Sequence, residues 1–160
     1  MRDQRFIAEH RGGPLDMKRH RLLARWAADC AEHLIHHFKL VSDDARPLYA
    51  IELAREWAKG NVLTGACMNA SVAAHAAARA VQDPAAVAAA RAAGHAVATA
   101  HFAEHALGPI VYGQKTMLAA GESATRELAW QKKKLPAAVR ELVLSALQHP
   151  KFSATRKPPT

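Results

Sequence analysis

Cysteine is nearly absent: Cys30 and Cys67 are the only two in 160 residues. Two cysteines cannot make a disulfide framework, and both stand in apolar helical context, so buried thiols in a reducing compartment are expected. No run approaches the roughly 18 to 20 apolar residues of a membrane span, and no charged-then-apolar N-terminal segment resembles a secretory leader. A cytoplasmic location without membrane contact is the expectation. No segment alternates apolar and polar residues with period two, which excludes a sheet. Also missing are a Gly-rich phosphate loop, a Gly-x-Ser-x-Gly elbow, paired carboxylates at a recognisable spacing and a helix-turn-helix signature. Neither cysteine has catalytic-motif context. The chain is therefore not expected to be an enzyme, and no cofactor or metal is assigned.

What the chain has instead is alanine. Between Ala66 and Ala106 about half the residues are alanine, with one proline, one glycine and four histidines, His75, His95, His101 and His105. A disordered linker would bring more Pro, Ser and Gly. Alanine is the best helix former and leaves almost no side chain to hold two backbones apart. The stretch predicts two long helices packed unusually close, with imidazoles let into the contact.

Punctuation along the rest of the chain predicts an all-α compact bundle of about six to eight helices. A short helix over 3–11 ends at Gly12-Gly13-Pro14. Asp16 caps a long helix to about Leu40, whose apolar face carries Leu23, Trp26, Cys30, Leu34 and Val41. Ser42-Asp43-Asp44 and Pro47 open a helix to Lys59, stopped by Gly60-Asn61. Tyr49, Leu53 and Trp57 line one stripe of that helix, and Ile51 and Ala54 another. Helices follow from Thr64 to Val81, from Asp83-Pro84 to about Ala106 (ended by Leu107-Gly108-Pro109), over 110–120 with Gly121 closing, from Ser123 to Lys134, and from Leu135-Pro136 to about Gln148. In the last of these Val139, Leu142, Val143 and Ala146 face inward. One helical domain over 1–149 is expected, followed by a basic, Pro-containing flexible tail over 150–160. Trp26, Trp57 and Trp130, one per amphipathic helix, are read as core anchors.

The formal net charge is +8, and it is unevenly placed. Residues 1–25 hold seven Lys/Arg against three Asp/Glu, residues 26–131 hold eight against ten, and residues 132–160 hold seven against one. The basic character belongs to the arm, the Lys132-Lys133-Lys134 run and the tail. Solvated ends explain it, and nucleic-acid association is the alternative, although few aromatics lie among the basic residues.

Two constellations could carry chemistry. On the Ala-rich helix that runs to about Ala106, His101 and His105 are i,i+4 and share a face, with Gly94 and Ala98 on the same stripe and Glu104 beside them. Two such histidines can chelate a metal, but a zincin helix places Glu directly after the first His, and here it precedes the second. Hydrogen bonds to neighbouring helices are the simpler role for these rings, an interface role the alternative. The second constellation is Asp29-Cys30-Ala31-Glu32-His33 with His36 and His37. Asp29–His33, Glu32–His36 and His33–His37 are i,i+4 pairs, and Arg25 is a further partner for Asp29. A Cys30/His33/His37 metal set would still need a fourth ligand, so structural pairing is expected here too. Candidate binding residues are His95, His101, Glu104, His105, Asp29, His33 and Arg91.

The order of segments carries a resemblance. Trp26-Ala27-Ala28-Asp29-Cys30-Ala31-Glu32-His33 is followed by the block from Arg46-Pro47 to Trp57-Ala58, then Ala77-Ala78-Arg79, then Ala89 to His101, and Glu127-Leu128-Ala129-Trp130-Gln131. Over roughly residues 15–147 the chain resembles the Imm-5-like group of all-helical bacterial immunity proteins. The resemblance implies a binding protein that neutralises a cognate polymorphic toxin by direct contact, and it carries over no catalytic residues. Nuclease inhibitors are often acidic, because charge complementarity speeds encounter with a basic site. This chain is basic at both ends, so either the toxin is not a strongly basic nuclease or a neutral helical face does the binding. A homodimer through Ala-rich faces left uncovered is also open.

Overall fold

The computed structural model describes residues 2–152. Among them are seven helices of ten residues or more: α1 (Met17–Leu34), α3 (Arg46–Ala58), α4 (Thr64–Arg79), α5 (Pro84–Ala98), α6 (Gly108–Ala120), α7 (Ala124–Lys133) and α8 (Ala137–Ala146). A four-residue turn of helix, α2 (His36–Lys39), continues α1 after a break at Ile35. No strand occurs among the described residues; a lone bridge joins Ala8 to Leu15.

Local chemistry starts and stops these rods. The carboxylates of Asp16 and Asp83 accept the backbone N–H of Arg19 and Ala86, and the Ser123 hydroxyl accepts that of Arg126, each satisfying a donor the first helical turn leaves open. Asp44 accepts the Arg46 N–H before Pro47. Gly60 and Gly121 stand at positive φ, 84° and 71°, where a side chain would be strained.

α5 is the central rod. Ten of its fifteen residues are buried, and it packs against α1, α3, α4 and α6. Its contact with α4 is as close as the alanines predict: the Ser71 hydroxyl donates to the Gly94 carbonyl at 2.9 Å, and a Cβ placed on Gly94 would stand 2.7 Å from His75 Nε2. The larger apolar side chains, among them Trp26, Phe38, Leu23, Leu34, Ile51, Leu107 and Ile110, fill the space around this rod. α7 packs on α6 and α8 on α1.

Four expectations change. Residues 3–11 form two separate 3-10 turns, Gln4–Phe6 and Glu9–Arg11. α5 ends at Ala98, and the chain re-forms as a 3-10 turn, Ala103–Leu107; His101 and His105 therefore do not share an α-helical face. Leu107-Gly108-Pro109 opens α6 instead of closing α5. Val41 and Tyr49, placed on inward faces, are exposed. Beyond α8, Pro150–Phe152 makes one 3-10 turn, with Lys151 bonded to Glu104 at 2.8 Å; the remainder of the expected tail, residues 153–160, lies outside the described residues.

Candidate functional site

Six of the ten histidines gather in two places. The first is a cleft of about 300 Å³ where α5 and α6 meet the Ala103–Leu107 turn. His95, Glu104, His105 and Tyr112 line it, together with Phe102, Arg2 and Lys151. The His95 ring lies along Tyr112 with centroids 5.1 Å apart, and stands 5.3 Å from both His75 and His105. Gly108 makes this possible, since a Cβ there would meet His95 Cβ at 2.4 Å. Burial, then the neighbouring His105, His75, Arg91 and Lys115, depress the His95 imidazole to about 3. Burial comes first in lowering His75 and His105 too. The cluster is thus uncharged at neutral pH and packed by ring contacts.

Of the residues named from the sequence, the fold brings His95, Glu104 and His105 together here. Arg91 lies one helical turn earlier, its guanidinium 3.4 Å from His75 Nδ1. His101 is set apart. It lines a neighbouring pocket under the N-terminal arm with His20, Phe6 and Arg11, although Arg2, Phe102 and Glu104 border both spaces. The guanidinium of Arg2 sits 3.9 Å from the centre of the Phe102 ring, so part of the arm's positive charge is stacked on the bundle.

The second place is a cleft of about 490 Å³ between the C-terminal part of α1, α2 and α7. His33 Nδ1 donates to Glu127 at 2.8 Å, and the ring stacks on Trp130, with centroids 3.7 Å apart and planes within 8°. Glu127 is 4% exposed, yet it also accepts from Gln131 Nε2 at 2.9 Å. Gln131 is held in turn, because its side-chain amide N–H donates to the Pro109 carbonyl and its backbone carbonyl accepts from Trp26 Nε1. A carboxylate offers no proton, so this chain of bonds fixes His33 with its proton on Nδ1. A ring so held can accept a proton or a donor at Nε2, the arrangement that makes an imidazole a base or a positioned acceptor.

Here the sequence reading needs correction. His33 pairs across the bundle with Glu127 and not with Asp29. Asp29 bonds Arg55 of α3 at 2.8 Å, and Glu32 bonds the same guanidinium. Trp130 is half-buried and forms the wall under His33, whereas Trp26 and Trp57 are core residues as expected. Cys30 is fully buried, its thiol pushed well up by burial and by Glu127 and Asp29, so the Cys30/His33/His37 set is not gathered as ligands. The convergent set among the described residues is His36, His37 and Glu122. Glu127 and Gln131 were missed. Their only local signal is a polar i,i+4 pair beside Trp130 on a helix whose inward side ought to be apolar.

A third surface feature is a groove of about 600 Å³ between α1 and α3, with Lys18, Arg21, Arg25, Arg55 and Lys59 around Met17, Leu22 and Ala58. Lys18, Arg21 and Arg25 follow one another at helical spacing, which concentrates part of the arm-side charge on one face.

A family model described as Imm-5 like putative immunity protein matches residues 13–138. The chain belongs to that family. The match takes in α1 to α7 and therefore the histidines of both clefts, while the arm up to Gly12 and nearly all of α8 fall outside it, as do Arg2 and Lys151 of the first cleft. No curated protein and no solved structure matches the chain. No helix among the described residues is long and apolar enough to cross a membrane.

Proposed function

We propose that this Imm-5-like chain is a non-enzymatic binding protein that neutralises a cognate bacterial toxin by covering it with a preformed helical face. The observation that carries the reading is the outer side of α4. Of its sixteen residues Arg79 alone bears a formal charge. Met68 and Val72 stand 43% and 68% exposed on it, one turn apart, and Leu63, which precedes the first turn, is 83% exposed. Single exposed apolar residues are ordinary, but Met68 and Val72 form an exposed apolar pair one turn apart on a face whose one formal charge, Arg79, stands two turns further on, and such a weakly charged face on a protein otherwise rich in charge is suited to a protein partner. The rigid rods behind it lose little entropy on docking. A weakly charged face also removes the difficulty that the chain's positive charge would pose for encounter with a basic target.

The test is a pull-down of the toxin domain encoded beside this chain, followed by titration calorimetry at low and high salt. A one-to-one complex whose affinity changes little with salt supports docking on the α4 face. A folded chain that captures no such neighbour removes the reading. Equilibrium sedimentation of the chain alone shows whether a second copy already covers that face.

The α1–α3 groove supports a second reading, a nucleic-acid-associated protein. Of the arm, the Lys132–Lys134 run and the tail expected to carry that role, only the basic 1–25 stretch contributes to it, through Lys18, Arg21 and Arg25, and Arg55 and Lys59 of the α3 side are added. Phosphate contacts would make affinity fall steeply with salt, so filter binding at two salt concentrations separates the readings.

A further inference from the structure

The corner where α2 meets the α6–α7 turn carries chemistry that toxin binding does not use. His36 and His37 are adjacent on α2, with ring centroids 4.0 Å apart. Glu122 projects toward them from the turn between Gly121 and Ser123, which is itself held by the Glu122 N–H to Met117 carbonyl bond at 2.8 Å. One ligand atom from each of the three residues lies within 4.8 Å of the others.

His37 supplies the decisive observation. Its side chain is 7% exposed, and its Nε2 is buried without a hydrogen-bond partner. The nearest acceptor is Glu122 Oε1 at 3.7 Å, too long for a hydrogen bond. A buried ring nitrogen left unpaired costs about 1–3 kcal/mol, and native proteins rarely leave one so without a reason. Two ligands of a tetrahedral zinc, each about 2.0–2.1 Å from the ion, stand about 3.3 Å apart. The gap from His37 to Glu122 is close to that spacing.

We infer that His36, His37 and Glu122 form a binding site for a divalent transition metal of the zinc class, one that clamps the end of the α1–α2 rod to the α6–α7 corner. Imidazole and carboxylate are the donors such an ion takes, and mixed nitrogen–oxygen sets favour it over calcium or magnesium. Three protein ligands leave a fourth position. His36 and Glu122 also line the cleft that holds His33, Glu127 and Trp130, so that position opens beside the His33 ring and suits a water or an exchangeable ligand. This departs from the reading of the sequence, which assigned no metal and considered Cys30, His33 and His37 instead. Cys30 is unavailable in the core, and the carboxylate comes from a turn some 85 residues along the chain.

The test is equilibrium dialysis of the full chain against zinc alone, paired with thermal unfolding. The expected result is one tightly held zinc per chain and a rise in Tm. His36→Gln and Glu122→Gln, both at exposed positions and so compatible with folding, are each expected to weaken binding at least tenfold and to abolish the rise in Tm, with helical content unchanged. Several other histidines could bind zinc weakly, so His10→Gln and His105→Gln, both outside this cleft, serve as controls that leave the site intact. No saturable binding by the parent chain, equal binding by all variants, or a loss confined to a control variant would each overturn the inference.

Discussion

Two glycines determine how near the buried rings come to backbone, and a third tests the argument. A Cβ on Gly108 would press 2.4 Å from His95 Cβ, an atom anchored to α5, whereas a Cβ on Gly94 meets only the far edge of the His75 ring. Gly65 has nothing within 4 Å. Alanine gains up to about 1 kcal/mol over glycine within a helix, and overpacking a tight contact costs about 1–3 kcal/mol. Urea denaturation is therefore expected to rank the variants: Gly65→Ala slightly stabilising, Gly94→Ala near neutral, and Gly108→Ala destabilising. Equal effects at all three positions would mean that the rings do not sit where helix contact places them. The imidazoles also set the acid limit of the fold. Burial, before any charge, lowers His20, His75, His95 and His105 from the ordinary value of 6.5, and His95 falls to about 3. Between those values the unfolded chain binds protons that the folded chain refuses, so stability is full above pH 6.5 and drains as the pH falls toward 3. For His95 the loss is at most about 1.4 kcal/mol per pH unit. The urea midpoint is expected to drop steadily from pH 7 to pH 5, with a shallower slope in His95→Gln. A flat profile would show that folding does not exclude protons from these rings.

At the scale of elements, α5 shows what sequence can and cannot foretell. Asp83 and Pro84 mark its start, as Asp16, Ser123, Gly60 and Gly121 mark other ends, because capping is a contact with residues two or three positions away. Its other end is not local. Ala-rich sequence runs on past Ala98, yet the Thr99 carbonyl accepts from His20 Nε2 at 2.6 Å, a partner from α1. A carbonyl committed to α1 no longer needs the next turn of helix, and the chain leaves the rod at that point. The same reasoning explains the site. His33 reads as a partner of Asp29 because the two are one turn apart, and Glu127 reaches it only because α7 is laid across α1. The binary pattern decides that a helix exists and which side is buried; which polar group meets which, across ninety residues, depends on tertiary docking. The His20 bond offers a direct check. His20→Leu keeps the apolar volume and strands the Thr99 carbonyl, so a loss of about 1–3 kcal/mol is expected in denaturant titration, together with faster amide exchange confined to residues 99–107. Unchanged exchange there would mean that His20 does not terminate α5.

Over the whole molecule, charge and apolar surface are divided between faces. The α1–α3 groove concentrates cations, the two histidine clefts are lined by rings and ion pairs, and α4 presents an outer side whose one formal charge is Arg79 at its end. Only one of these surfaces can dominate a complex, and the faces respond to different perturbations. Val72 contributes nothing to the core, so Val72→Asp is expected to leave the unfolding free energy from urea titration within about 0.5 kcal/mol of that of the parent chain. On a docking face the new carboxylate would be desolvated opposite apolar partner atoms, and toxin affinity is expected to fall at least tenfold, about 1.4 kcal/mol. Paired reversal at Arg21 and Arg25 is expected to change the salt dependence of association far more than the affinity at high salt, because exposed charges act mainly on encounter. Calorimetry of the two variants against the same toxin separates the faces. Should the arginine reversal abolish binding while Val72→Asp retains it, the partner is acidic and seated on α1 and α3, and the weakly charged face of α4 is left for contact between copies of the chain itself.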